Sequence, residues 1–208
     1  MTALEVITET QAPVAVRRLC IEPRAAALTI TTDASLDDAY RVCWEGAAPR
    51  VREHDEETEI DYTLPQRLRA ASPRGGSLAL ALSPAVAWAI ELRGGVSGLR
   101  ADLRELAVAA IRITGGASDL VIDVPTPTGE LPVRVEGGLS RATVRRPKTV
   151  PVSLHVDGGA SDLRLDAHRF GSIGGTVRQR TAAEATGSEV AIRVLGGASR
   201  LTIEGIGH

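Results

Sequence analysis

Apolar and polar residues alternate one for one through most of the second half of this chain, and the alternation breaks each time at a pair of glycines. WAIELRGGVSGLRADL from Trp88, AIRITGGASDLVIDV from Ala110, VRVEGGLSRATVRR from Val133, LHVDGGASDLRLDA from Leu154 and IRVLGGASRLTIEG from Ile192 share one template. It runs apolar-x-apolar-x-Gly-Gly-x-Ser-x-apolar-x-apolar. A period of two belongs to strands, not to helices. Each unit therefore predicts a strand, a Gly-Gly corner and a second strand.

The first glycines stand at 94, 115, 137, 158 and 196, in steps of 21, 22, 21 and 38. The long last step holds Gly174-Gly175 in FGSIGGTV, which reads as a degenerate unit followed by a looser loop through TAAEATGSE. Units recurring at such a period are coils of a stack. Parallel coils bond at roughly 4.8 Å, so equivalent residues lie above one another. Four aliphatic columns follow: Ile90, Ile111, Val133, Leu154 and Ile192; Leu92, Ile113, Val135, Val156 and Val194; Leu99, Leu120, Ala142, Leu163 and Leu201; Ala101, Ile122, Val144, Leu165 and Ile203. The expected class is all-β, a single-stranded parallel β-helix (β-solenoid) of about 21 residues per coil, right-handed by the general preference of parallel crossovers.

The corner is a structural ladder of Gly94, Gly95 and Ser97, Gly115, Gly116 and Ser118, Gly137, Gly138 and Ser140, Gly158, Gly159 and Ser161, and Gly196, Gly197 and Ser199. Paired glycines suit a corner that needs positive φ or close backbone approach, and a following serine can bond backbone groups that lack a strand partner. A phosphate-cradling loop would need a helix after the strand, and a nucleophile elbow would need G-x-S-x-G; neither context is present.

Residues 26–208 are expected to form the solenoid, with irregular opening coils over 26–87 and regular Gly-Gly-x-Ser coils over 88–208. Residues 1–25, with PVAVRRLCIE, read as a leader or first capping strand. RVREHDEETEIDYTLP predicts a hairpin turning at HDEET, and Trp88 should pack where the regular coils begin.

Outward columns carry the candidate chemistry. Three residues before each first glycine stand Glu91, Arg112, Arg134, His155 and Arg193, a mostly basic stripe; five after each serine stand Asp102, Asp123, Arg145, Asp166 and Glu204, mostly acidic. The candidate interaction surface is Arg112, Arg134, His155 and Arg193 with Asp102, Asp123, Asp166 and Glu204. In register, Asp102 and Asp123 would lie about one strand spacing apart, close to the roughly 5 Å of the paired carboxylates in retaining glycosidases. A solvated charged face, with Arg145 relieving repulsion, is the preferred reading. His155, Asp157 and Ser161 make an imaginable triad, but unrelated residues fill the same positions in other coils. No histidine has metal-ligand spacing, so no metal, cofactor or catalytic residue is expected.

With aromatic residues at 2%, the core must come from Val, Ile, Leu and Ala. A net charge of −2 and no basic cluster interleaved with rings argue against nucleic acid. No stretch approaches the roughly 20 apolar residues of a membrane helix, so no membrane insertion is expected. The opening MTALEVITETQAPVAVRRLC has acidic residues where a secretory signal carries positive ones, which makes a cytoplasmic location the expectation. Cys20 and Cys43 are then expected as free thiols, although strands stacked side by side could pair them.

The units GGVSGLRADL, GGASDLVIDV and GGASDLRLD, followed by HRFGSIGGTV, resemble the bacterial putative-adhesin domain family over roughly residues 26–204. The resemblance implies a single-stranded right-handed β-helix and brings no catalytic residues; the adhesin label implies export. Bactofilins, β-helices that polymerise end to end, are a more distant analogy. The leading expectation is a non-enzymatic scaffold or protein-interaction module that binds a protein partner, or itself through its ends or charged faces. The short tail GIGH suggests an uncovered end. Two other readings are a carbohydrate-active β-helix enzyme using Asp102 and Asp123, and a cell-surface adhesin.

Overall fold

A computed structural model describes residues 15–23, 27–62, 76–181 and 187–207. Its described residues form strands without helices: β1 (Val16–Ile21), β2 (Ala27–Thr32), β3 (Tyr40–Glu45), β4 (Arg50–His54), β5 (Glu57–Asp61), β6 (Ser77–Leu82), β7 (Ala87–Leu92), β8 (Val96–Ser97), β9 (Leu99–Asp102) and β10 (Ala107–Ile113). The chain continues through β11 (Ala117–Asp123), β12 (Glu130–Val135), β13 (Leu139–Pro147), β14 (Val152–Val156), β15 (Ala160–Leu165), β16 (His168–Ile173), β17 (Val177–Arg180), β18 (Glu189–Val194) and β19 (Ala198–Ile206).

Each Gly-Gly-x-Ser corner carries the chain from one sheet to the other. The first sheet runs β17-β14-β18-β12-β10-β7-β1-β5-β4, and the second runs β16-β15-β19-β13-β11-β9-β2-β6-β3. Pairing is parallel inside both sheets and antiparallel at their ends, where β17 meets β14, β4 meets β5, β16 meets β15 and β3 meets β6. The fold is thus all-β with two mixed sheets, and the expectation of purely parallel pairing fails at both ends.

The register follows the repeat. Ile111 stands opposite Ile90 and Val133, Val133 opposite Ile192, and Ile192 opposite Leu154. In the second sheet Ala101, Ile122, Val144, Ile203 and Leu165 form the matching column. Inward residues of both sheets merge into one buried cluster that is almost entirely aliphatic. Its largest member, Trp88, is fully buried and donates its indole N–H to the Ser83 carbonyl at 3.1 Å. Pro132 sits within central strand β12 because β10 bulges between Val108 and Ala110 and pairs with β12 only from Ile111 onward.

Stacking order departs from chain order. β1 and β2 lie between β7/β9 on one side and β5/β6 on the other. Of residues 1–25, expected to lead or cap, the described strand β1 (Val16–Ile21) instead lies in the interior of the stack with Leu19 and Ile21 fully buried, and residues 1–14 and 24–25 lie outside the described residues. Likewise β18 and β19 enter between β12/β13 and β14/β15, although the coil at Gly158 precedes them in the chain. The degenerate unit around Gly174-Gly175 is the reversed end layer β16–β17, and the 38-residue step is the path out to that layer and back. Gly205 and Ile206 of the tail GIGH are the last two residues of interior strand β19, so this part of the tail covers no end; His208 lies outside the described residues. The hairpin at HDEET is present as β4–β5, with Asp55 at φ 43.

Candidate interaction surfaces

At the corner, Ser97, Ser118, Ser140, Ser199 and Ser161 stand in register, and Ser172 of β16 extends the row. Its serines do not rescue unpaired backbone. Corner amides bond corner carbonyls of the next layer: Ala117 N to Gly138 O, Leu139 N to Gly197 O and Ala198 N to Gly159 O, at 2.9, 2.9 and 3.0 Å. Ser118 Oγ instead donates to Ser97 Oγ at 3.3 Å. The first glycines at 137, 158 and 196 are required by close approach. A Cβ on Gly137 would come within 2.5 Å of Gly116 N, whereas one on Gly138 would sit 3.6 Å from its nearest neighbour, Gly197 O.

The turn residue proper lies one position after the serine. Gly98, Asp119, Arg141, Arg200 and Asp162 all have φ between 50 and 73, and the ladder register skips from Ser118–Ser140 to Leu120–Ala142. In the sequence only Gly98 of these five residues marks the position; the other four carry side chains despite the positive φ. Asp119 and Arg141, adjacent in the stack, form a two-armed ion pair of 2.5 and 2.6 Å.

The basic stripe runs down the outer face of the first sheet in the order Arg112, Arg134, Arg193, His155, and Arg178 of β17 extends it. Glu91 precedes Arg112, and beyond it the same column holds Cys20 and Glu59. The stripe is partly neutralised along its flank. Arg112 and Arg134 reach Glu136 at 2.6 and 3.4 Å, and Arg193 reaches Asp157 at 3.4 Å. His155 Nε2 lies 2.8 Å from Asp157 Oδ1 but out of line for a hydrogen bond. Ser161, the third member of the imagined triad, stands on β15 past the corner, in the serine ladder. Beside the stripe, a shallow groove of about 500 Å³ runs between β14, β17 and β18, with Arg178, Arg180 and Arg193 on its walls.

The acidic stripe lies on the other sheet. Asp102, Asp123, Arg145 and Glu204 are in register, and Asp166 follows at the end of β15. Every carboxylate here has an arginine. Arg104 grips Asp102 through 2.6 and 2.8 Å hydrogen bonds, which hold that carboxyl below its ordinary range. Arg145 lies 3.6 Å from Asp123 and 3.2 Å from Glu204. Asp166 accepts a 2.6 Å bond from Arg146, a residue only 2% exposed, and a 3.0 Å bond from Gly205 N.

Neither cysteine is in a disulfide, and the two environments differ. Cys43 is exposed on β3, whereas Cys20 is buried among Glu57, Glu91 and Arg93. Burial first, then its 3.3 Å hydrogen bond to Glu57, pushes the Cys20 thiol from 9.0 up to about 12. Among the described residues no group of three His, Cys, Asp or Glu could hold a metal ion, and no helix is long and apolar enough to cross a membrane.

No protein-family model matches this chain, and no curated protein matches it. The crystal structure of a putative cell adhesion protein from Clostridium sporogenes ATCC 15579 is similar in fold. It superposes with a TM-score of 0.63 at 14% identity, over 92% of this chain and 94% of that one.

Proposed function

We propose that this chain is a non-enzymatic scaffold or protein-interaction module, built as a single-stranded right-handed β-solenoid of about 21 residues per coil and acting in the cytoplasm. The carrying observation is the state of its carboxylates. Asp102, Asp123 and Asp166 are each engaged by an arginine, and Asp102 is held ionised. Gripped by both arms of Arg104, Asp102 is unsuited to be a glycosidase acid, which must keep its proton near neutral pH. The partner surface is the arginine column Arg112, Arg134 and Arg193, half-exposed on the outer face of the first sheet, which suits an acidic protein face.

Affinity capture from the native cell tests this with wild type beside a variant carrying Arg112→Glu, Arg134→Glu and Arg193→Glu. The expected result is a protein captured by wild type, lost with the triple variant and retained by a control reversed at Arg164. A glycan-cleaving activity abolished by Asp102→Asn or Asp123→Asn would overturn the reading. A second reading, a cell-surface adhesin, draws on the fold shared with the clostridial protein. Protease shaving of intact cells distinguishes it, since only a surface protein is cleaved.

A further inference from the structure

We infer that the outer edge of β3 pairs antiparallel with β3 of a second copy, about a two-fold axis centred on Cys43. This rests on the scaffold reading above and names one self-association surface for it. β3 closes the second sheet, and among the described residues no strand pairs with its far side. An open edge carries a row of unpaired backbone donors and acceptors that joins another chain unless something prevents it.

Prevention is what β3 lacks. Its sequence, Tyr40-Arg41-Val42-Cys43-Trp44-Glu45, is self-complementary when reversed on itself about Cys43. Residues directly opposite in an antiparallel pair lie on the same face, so Arg41 meets the second copy's Glu45 outside, and Val42 meets the second copy's Trp44 on the core side. The relevant groups are available. The Arg41 side chain is 58% exposed and holds Asp33 only at 3.4 Å. Glu45 accepts from Ser77 Oγ and has no ion pair among the described residues. Trp44 stands opposite buried Leu78, in the core-facing column, yet is 48% exposed. Val51 on neighbouring β4 is 39% exposed, so the end of the stack presents an apolar face between its two outer strands.

The opposite end has no such match. Reversing β17 about Gln179 sets Arg178 against the second copy's Arg180, and β16 carries His168 and Arg169 with no acidic residue. No complementary pair meets across that edge, where Arg180 already holds Glu189 at 2.7 Å, so the association closes as a dimer and does not propagate into a filament.

Sedimentation of the full chain at about 0.1 mM should give twice the monomer mass, and Trp44 emission should shift to the blue with concentration while buried Trp88 stays constant. Diamide should then link the chains through Cys43: the two thiols lose two protons and two electrons, the diamide is reduced to its hydrazine, and one S–S bond forms. Buried Cys20 does not compete, and Cys43→Ser abolishes the link. Arg41→Glu and Glu45→Arg, both at exposed positions, should each weaken the dimer about tenfold or more, and mixing the two variants should restore it, because opposite charges then face at both sites. A monomer at that concentration, a dimer that diamide does not link, or one indifferent to the single reversals would each overturn the inference. A monomer would leave capture of another protein by the arginine column untouched, so the two readings fail separately.

Discussion

The paired glycines at the corner show why two adjacent, identical letters need not do the same work. Gly137 lies where neighbouring layers touch backbone to backbone, and Gly138 lies where a methyl group has room. Gly137→Ala should therefore cost about 1–3 kcal/mol through forced displacement of the adjoining layer. Gly138→Ala should stay within about 1 kcal/mol of wild type, since any crowding is offset by a stiffer unfolded chain. Urea unfolding of the two variants measures the difference, and equal losses would show that both glycines are needed for the same reason. Cys20 adds a pH dependence. Its thiol titrates near 9 in the unfolded chain and near 12 when folded, so its contribution is intact below pH about 9 and is lost as pH rises toward 12. Melting temperatures from pH 8 to 11 should fall less steeply in Cys20→Ala than in wild type.

Strands β13, β15 and β19 are joined at one end by a buried charge. Arg146 is sealed beneath Gly205, where any Cβ would strike its guanidinium, and it bridges to Asp166 at the turn after β15. Its Nη1 donates to the carbonyls of Pro147 and Lys148, while Nε has no hydrogen-bond partner. Removing the carboxylate leaves an uncompensated buried cation, so Asp166→Ala should cost about 2–4 kcal/mol by urea unfolding, reduced from the fully buried case by the partial exposure of Asp166. Arg146→Met with Asp166→Ala should recover much of that loss, because the buried charge goes with its partner. An additive loss in the double variant would mean that the pair does not act as a unit.

Both ends of the described chain lie inside the stack, and this governs its cooperativity. The layer β18–β19 contributes buried Val190, Ile192, Val194, Leu201 and Ile203 to the core, each stabilising by roughly 1.5–3 kcal/mol. Removing residues 189–208 should not merely shorten the stack. It takes away the layer on which β14 and β15 rest, so β14–β17 should exchange their amide hydrogens like an unfolded segment while β7–β11 stay protected. Retained protection across β14–β17 would show that the outer layers close up on β12 and β13. A chain whose first and last layers are both bracketed must also form many distant contacts before it is stable, which predicts slow folding.

How much of this was legible in the residues follows from what repeats and what does not. Alternation about each Gly-Gly-x-Ser is local, so the strands, the inward columns and the in-line outward stripes could be read directly, down to Arg112 beside Arg134. Neighbour order could not. Every regular layer offers its neighbours the same aliphatic columns and the same backbone edge, so local pattern does not distinguish Gly158 from Gly196 as the partner of Gly137. The end layers β3–β4 and β16–β17 keep at most a degenerate copy of the template, Gly174-Gly175, and they run backwards against the strands they cover. Which arginine grips which carboxylate likewise depended on layers meeting out of chain order, as with Arg145 between Asp123 and Glu204 and Arg146 with Asp166. Periodicity set what each layer looks like; packing among nearly interchangeable layers, with reversed strands at both ends, set where each one went.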